Sequence, residues 1–303
     1  MRFLSLLWQK KKLSALTAPR ESLPKMTCLP CDRDPTSRNR IMSASPAVSA
    51  KSSIDEFTTI LGIRFYTGDL PGLLERCQQG GLIVVPAAPA LVDLPADSAY
   101  RAALEGSEFA ITDSGFMVLL WALFKGVRLR RISGLKLLRG LITLQSFRAP
   151  GVVLGVMPSP ADAQANCAWL KTQGIALDPA HQYLAPEYRP GPLEDPALLA
   201  AIETLRPVFV LINLGGGVQE RLGFYLRQRL SYRPAIVCTG AAIAFLSGRQ
   251  ANIPPWADRL FLGWLARCLR EPRKFIPRYW KALRLAPLVW KYGASSVAGA
   301  PKP

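Results

Sequence analysis

From about Ile54 onward the chain alternates short unbroken apolar runs with longer stretches of helical spacing. Gly81-Leu-Ile-Val-Val, Phe109-Ala-Ile-Thr, Val152 to Met157, Pro207 to Asn213 and Ala235-Ile-Val-Cys have the length and β-branched content of strands. Between them Tyr100 to Glu105, Phe116 to Lys125, Pro160 to Gln173 and Gln219 to Leu230 read as helices. An apolar run with no alternating polar positions has no face to give to water. Each strand is therefore expected to be covered on both sides, as in a parallel sheet flanked by crossover helices. The pattern predicts an α/β fold with a Rossmann-like, mostly parallel sheet, and no internal repeat interrupts it.

In such sheets ligands bind beyond the carboxyl ends of the strands. That rule selects four segments: Pro86-Ala-Ala-Pro, Asp113-Ser-Gly, Gly215-Gly-Gly-Val-Gln-Glu and Thr239-Gly-Ala-Ala. All four are expected to face one cleft. Gly215, Gly216 and Gly217 follow a strand and precede a helix, so their amides can approach a phosphate closely; a tight turn without ligand uses the same residues. Neither a Walker lysine pattern nor Gly-x-Gly-x-x-Gly is present, which argues against an ordinary nucleoside triphosphatase or dinucleotide site. Gln219 and Glu220 either read hydroxyls or a base edge, or Glu220 serves as a first-turn acid for its own helix. Asp113 stands where a strand gives way to a helix, and from its neighbours alone it reads as an N-cap.

Half of the 303 residues are apolar, enough for at least one substantial core. The net charge of +17 implies an anionic partner: nucleic acid, an anionic membrane or a phosphorylated substrate. Cys28, Cys31, Cys77, Cys167, Cys238 and Cys268 are scattered and mostly apolar in context, which suits buried reduced thiols. Cys28-Leu-Pro-Cys31 lacks a second ligand pair for zinc. The single histidine, His181, lies in Asp-Pro-Ala-His-Gln, read as a surface turn, which disfavours a Ser-His-Asp triad or a multi-histidine metal site. With no apolar run of about 18 residues, a spanning helix is not expected.

Composition divides the chain into three parts. Residues 1–53 carry Lys10, Lys11 and Lys12 followed by Ser, Pro and Arg, a flexible basic tail or an over-long reading frame whose start is Met26 or Met42. Residues 54–248 hold the α/β core. Residues 249–303 contain eleven basic side chains against Asp258 and Glu271, interleaved with Trp264, Phe275, Tyr279, Trp280 and Trp290. A helical segment both cationic and amphipathic lies well in a membrane interface. The same composition could serve single-stranded nucleic acid.

From about Ile63 to Leu285 the chain resembles the WecG/TagA/CpsF glycosyltransferases, glycosyltransferase family 26. The resemblance lies in an ordered set: Asp113-Ser-Gly-Phe, Ile132-Ser-Gly, Leu214 to Glu220, Thr239-Gly with Phe245-Leu-Ser-Gly, Pro255-Trp, Gly263-Trp-Leu-x-Arg-x-x-x-Glu-Pro-Arg, and Arg278-Tyr279. It implies inverting transfer of an N-acetylhexosamine-type sugar from a UDP-sugar to a polyprenyl-diphosphate-linked acceptor. The setting it implies is the cytoplasmic face of the plasma membrane, in surface polysaccharide synthesis, with no cofactor, obligatory metal or nucleic acid. Asp113 matches the family's base. Gly215, Gly216, Gly217, Gln219, Glu220 and Gly240, with Asn213 at its strand end, match the nucleotide-sugar side, and Arg267, Arg270, Arg273 and Arg278 match the grip on the lipid diphosphate. Ala87 stands where a Thr-x-Asn element usually supplies asparagine, Ser114 replaces a glycine, Lys136 an aspartate and Gly217 a proline. These departures bear first on sugar recognition. The alternative from another class is a non-catalytic basic protein that binds anionic lipid or nucleic acid.

Overall fold

The computed structural model describes residues 56–189, 191, 193–249, 268–269 and 271–299. Within them lies an eight-stranded sheet: β1 (Phe57–Ile60), β2 (Ile63–Tyr66), β3 (Gly81–Val84), β4 (Phe109–Ile111), β5 (Val153–Met157), β6 (Gln182–Leu184), β7 (Phe209–Ile212) and β8 (Ala235–Cys238). Their order is β1-β2-β4-β3-β8-β7-β5-β6; only the β1–β2 pair is antiparallel. The connection from β5 leads outward to β6 and that from β7 inward to β8, so the crossovers diverge between the ends of β5 and β7. A crevice is expected at such a point.

The unbroken apolar runs are explained by burial on both faces. Leu82, Val84, Leu154, Val156, Val210, Ile212 and Ile236 enter one apolar layer, while Ile83, Val153, Phe209, Leu211 and Val237 enter the other. Leu222 and Leu226 of one helix, α9 (Val218–Arg229), pack into the first layer with Leu198 and Ile202 of α8 (Pro196–Leu205) and with α2 (Ala88–Leu91), α3 (Ser98–Glu105) and α4 (Gly115–Lys125). The second layer is closed by α1 (Leu70–Gln78), α5 (Gly134–Leu141), α6 (Gln145–Arg148), α7 (Pro160–Thr172) and α10 (Ala242–Leu246).

All nine elements expected from periodicity are present, with ends shifted by a few residues. Among those it did not announce, α5 contains two glycines, residues that weaken a helix in isolation. Packing accounts for both: a Cβ on Gly140 would lie 3.0 Å from the Leu74 methyl carbons and one on Gly134 3.1 Å from a Val85 methyl, so glycine lets α5 settle closely onto α1 and the end of β3.

The C-terminal region differs most from expectation. It carries α11 (Pro272–Ala282), which packs on α2, and α12 (Leu285–Tyr292), which packs on α4. Leu285, Leu288 and Val289 of α12, and Val297 beyond it, belong to the first apolar layer. Leu61 and Gly62 N–H groups donate to the Gly293 and Ala294 carbonyls at 2.8 and 3.1 Å, tying the chain end to the β1–β2 turn. This stretch is core as well as surface. An amphipathic pattern states that one face is apolar but not what covers it.

His181 also departs from its expectation. It ends a short 3₁₀ turn, Pro179–His181, yet its side chain is buried, because it packs beneath Gly151. Cys77 and Cys238 are buried and, with Cys167 and Cys268, unpaired; burial pushes the Cys77 thiol up to about 12, which suits an inert core thiol. Cys28, Cys31 and the 1–53 tail lie outside the described residues.

Candidate active site

A cleft of about 1200 Å³ opens over the carboxyl ends of β3, β4, β5, β7 and β8. All four segments selected by the strand-end rule line it: Ala87 to Pro89, Asp113 to Gly115, Gly215, Gly216 and Gln219, and Thr239 to Ala242. Other contributors were not selected by that rule, among them Arg131, Ser133, Gly134 and Leu135, ahead of and within α5, and Pro158, Asp162 and Asn166 beyond β5.

Asp113 is held by long-range contacts. Thr112 Oγ1 donates to the Arg130 carbonyl at 2.6 Å and accepts from Ile132 N at 3.3 Å, pinning the 130–132 loop beside the end of β4. Asp113 Oδ1 then accepts from Gly134 N at 2.9 Å, while Arg131 Nε donates to the Asp113 carbonyl at 2.8 Å. The cap of α4 is its neighbour Ser114, whose Oγ accepts from Met117 N at 3.2 Å. Asp113 is thus not the N-cap its local context suggests. Its carboxylate faces the cleft wall at the start of α5, and the residue that departs from the family pattern takes the capping role.

Across the cleft, side-chain amides knit three strand ends together. Asn213 Nδ2 donates to the Val156 and Leu211 carbonyls, each at 3.3 Å, and its Oδ1 accepts from Thr239 Oγ1 at 2.8 Å. Gln219 Oε1 accepts from Gly240 N at 2.8 Å, and Gln219 Nε2 donates to Glu220 Oε1 at 3.0 Å. The other Glu220 oxygen accepts from Gly217 N at 2.6 Å. Gly217 sits at φ +91°, a conformation open to glycine and closed to proline.

Glu220 is 1% exposed and does not line the cleft; it takes the first-turn role, as does Gly217 the cap. Burial raises its carboxyl above the usual range despite the Gln219 and Gly217 hydrogen bonds. Gly215 and Gly216 do line the cleft. Nothing lies within 4 Å of a Cβ built on Gly215, and only Ala90 Cβ, at 3.9 Å, near one on Gly216. Packing does not require glycine at either place; close approach of a ligand to the backbone would.

Glu220→Gln is predicted to lower stability by about 1–3 kcal/mol, because the new amide N–H groups meet a donor, either Gly217 N or Gln219 Nε2, and a flip of Gln219 to accept from them turns its own N–H groups onto Gly240 N. The pH dependence has a defined sign. With the folded carboxyl raised, the stability Glu220 contributes is complete below the ordinary glutamate value of about 4.3 and is lost as pH climbs through the raised one. Urea unfolding should show the gap between wild type and Glu220→Gln narrowing as pH rises; a widening gap would contradict burial as the dominant influence.

On the β5 side, burial opposes ionisation of Asp162, but the Ser159 hydroxyl at 2.6 Å and the Arg249 guanidinium at 3.0 Å outweigh it and hold the carboxyl below the usual range. Of the four candidate arginines, Arg278 on α11 lines the cleft and Arg273 is exposed outside it. Arg267 and Arg270, like Trp264, lie outside the described residues. Arg131, not anticipated, supplies a second guanidinium to the lining. Lys136 is exposed on α5 and away from the lining, so the charge it brings does not enter the cleft.

The two halves of the cleft differ in chemistry. Its floor is polar, with Asp113, Asn213, Gln219 and Thr239; its outer wall is apolar, built from Phe116 and Leu119 of α4 and Phe275, Ile276 and Trp280 of α11. None of the curated proteins compared matches the chain. A family model does, that of the glycosyl transferase WecG/TagA/CpsF family, over residues 58–298, a span that begins in β1, ends beyond α12 and takes in every strand end of the cleft. The chain belongs to the WecG/TagA/CpsF family of glycosyltransferases.

Proposed function

We propose that the protein transfers an N-acetylhexosamine-type sugar, with inversion, from a UDP-sugar to a polyprenyl-diphosphate-linked acceptor at the cytoplasmic face of the membrane. The observation that carries this reading is that Asp113, after β4, and the open Gly215-Gly216 turn, after β7, line one cleft with β3 and β8 between their strands. A base and a phosphate-approaching turn must face each other across the reacting carbon if the acceptor attacks opposite the leaving group.

In the reaction the acceptor hydroxyl oxygen bonds to the anomeric carbon, the bond from that carbon to the UDP oxygen breaks, and the electron pair leaves with UDP. The hydroxyl proton passes to the Asp113 carboxylate oxygen that Gly134 does not hold. Gly215, Gly216 and Gln219, fixed by the Asn213, Glu220 and Gly240 network, form the nucleotide-sugar side. Two anionic diphosphates meet two cleft-lining guanidinium groups, Arg131 and Arg278, whose donor forks suit phosphate. The family resemblance gives Arg267, Arg270 and Arg273 the same role, the grip on the lipid diphosphate. Ala87 lines the cleft with a methyl, which neither donates nor accepts a hydrogen bond, so the donor sugar should be selected elsewhere in the cleft.

A ligand that binds only the folded protein raises its stability, by about 2.7 kcal/mol at a hundredfold excess over Kd. A thermal-shift series is expected to show stabilisation by UDP and by one or a few UDP-N-acetylhexosamines. No shift with any uridine nucleotide would remove the proposal.

A further inference from the structure

Ten large apolar side chains are exposed among the described residues, and eight of them gather at one end, on and around α4, α11 and α12. Leu119 and Leu123 lie one turn apart on α4, Val127 follows just past its end, and Leu123 is 74% exposed. Trp280 of α11 is equally exposed, and Trp290 of α12 stands edge-on to Phe124 with ring centroids 5.2 Å apart. Leu119, Ile276 and Trp280 also line the cleft, so this patch is continuous with its mouth.

Next to the α4 leucines runs Lys125-Gly-Val-Arg-Leu-Arg-Arg131, four cations in seven residues without an acid, and Lys125, Arg128 and Arg130 are exposed. No described helix is long and apolar enough to cross a membrane. Exposed leucines and tryptophans bordered by unbroken positive charge suit a surface that sinks a short distance into an anionic interface.

We propose that the outer edge of α4, Leu119, Leu123 and Val127, together with the Lys125–Arg131 run and Trp290, is a bilayer-docking surface for anionic lipid, separate from the C-terminal arginines. Docked this way, the cleft mouth between α4 and α11 opens at the level of the headgroups, and an acceptor carried by the bilayer enters sideways without leaving it. The surface shares its membrane with the proposed reaction but does not need that reaction to exist.

The test is co-sedimentation of the full chain with vesicles of phosphatidylcholine alone and of phosphatidylcholine mixed with phosphatidylglycerol. Wild type should partition onto the anionic vesicles. Leu123→Glu/Val127→Glu and, separately, Arg128→Glu/Arg130→Glu should each weaken that partition by about tenfold or more, with melting temperature and UDP-induced stabilisation unchanged. None of these four side chains lines the cleft. Unchanged partition of both variants would overturn the assignment. So would loss of self-association by Leu123→Glu/Val127→Glu without loss of vesicle binding, which would make the patch a contact between copies. Failure of UDP to stabilise any of the proteins would count against the transferase reading and leave the docking result to stand by itself.

Discussion

Asp113→Asn is expected to slow sugar transfer by about 10²–10⁴-fold, the usual contribution of a positioned base, while fold and nucleotide binding persist. The amide oxygen of asparagine can still accept from Gly134 N, the 2.9 Å contact that joins the end of β4 to the start of α5. The Arg131 contact goes to the residue's carbonyl and is untouched. The Ser114 cap of α4 is independent of it as well. What asparagine cannot do is take a proton from an attacking hydroxyl. Steady-state kinetics should therefore show a fall in kcat with little change in KM for the UDP-sugar, and thermal shift by UDP should match wild type. Full turnover would remove Asp113 as the base. A variant that folds but no longer responds to UDP would assign it to binding.

The second large effect concerns stability. Truncation before Leu285 is expected to abolish cooperative unfolding, because it removes Leu285, Leu288, Val289 and Val297 from the apolar layer they share with Val118 and Trp121 of α4. It also strands the Leu61 and Gly62 N–H groups. Leu285→Ala alone, at a fully buried position, should cost about 2–5 kcal/mol in urea unfolding. A truncated chain that unfolds with wild-type midpoint and slope would show the segment to be an add-on. The expected outcome has a practical consequence. Removing the chain from Trp264 onward to test membrane attachment would confound loss of the membrane with loss of the fold, so attachment is better read from surface substitutions such as those on α4.

What sequence reasoning could reach follows from the range of the interactions involved. The five buried strands were legible because two-sided burial leaves no polar position, and the four cleft segments because a parallel sheet presents its strand ends together. The hydrogen bond from Gly134 to Asp113 spans 21 residues and has no local signature. For that reason Asp113 looked like a helix cap when Ser114 was one. Gln219-Glu220 stood out as a pair, yet only the fold separates them: Gln219 turns toward the cleft, and Glu220 turns under it to hold Gly217. The Lys125–Arg131 run is short beside the larger basic tail, and Lys291 and the exposed Trp290 mask the core role of α12 in the sequence. The ordered motifs that carry the family resemblance all lie within the matched residues 58–298.

Acceptor-dependent transfer is measured most directly as release of UDP from a UDP-N-acetylhexosamine with and without a polyprenyl-diphosphate-linked acceptor. The predicted result is UDP release that requires the acceptor, equals the glycosylated lipid formed, and is lost in Asp113→Asn. Binding of anionic lipid or nucleic acid with no acceptor-dependent UDP release from any UDP-sugar would contradict it.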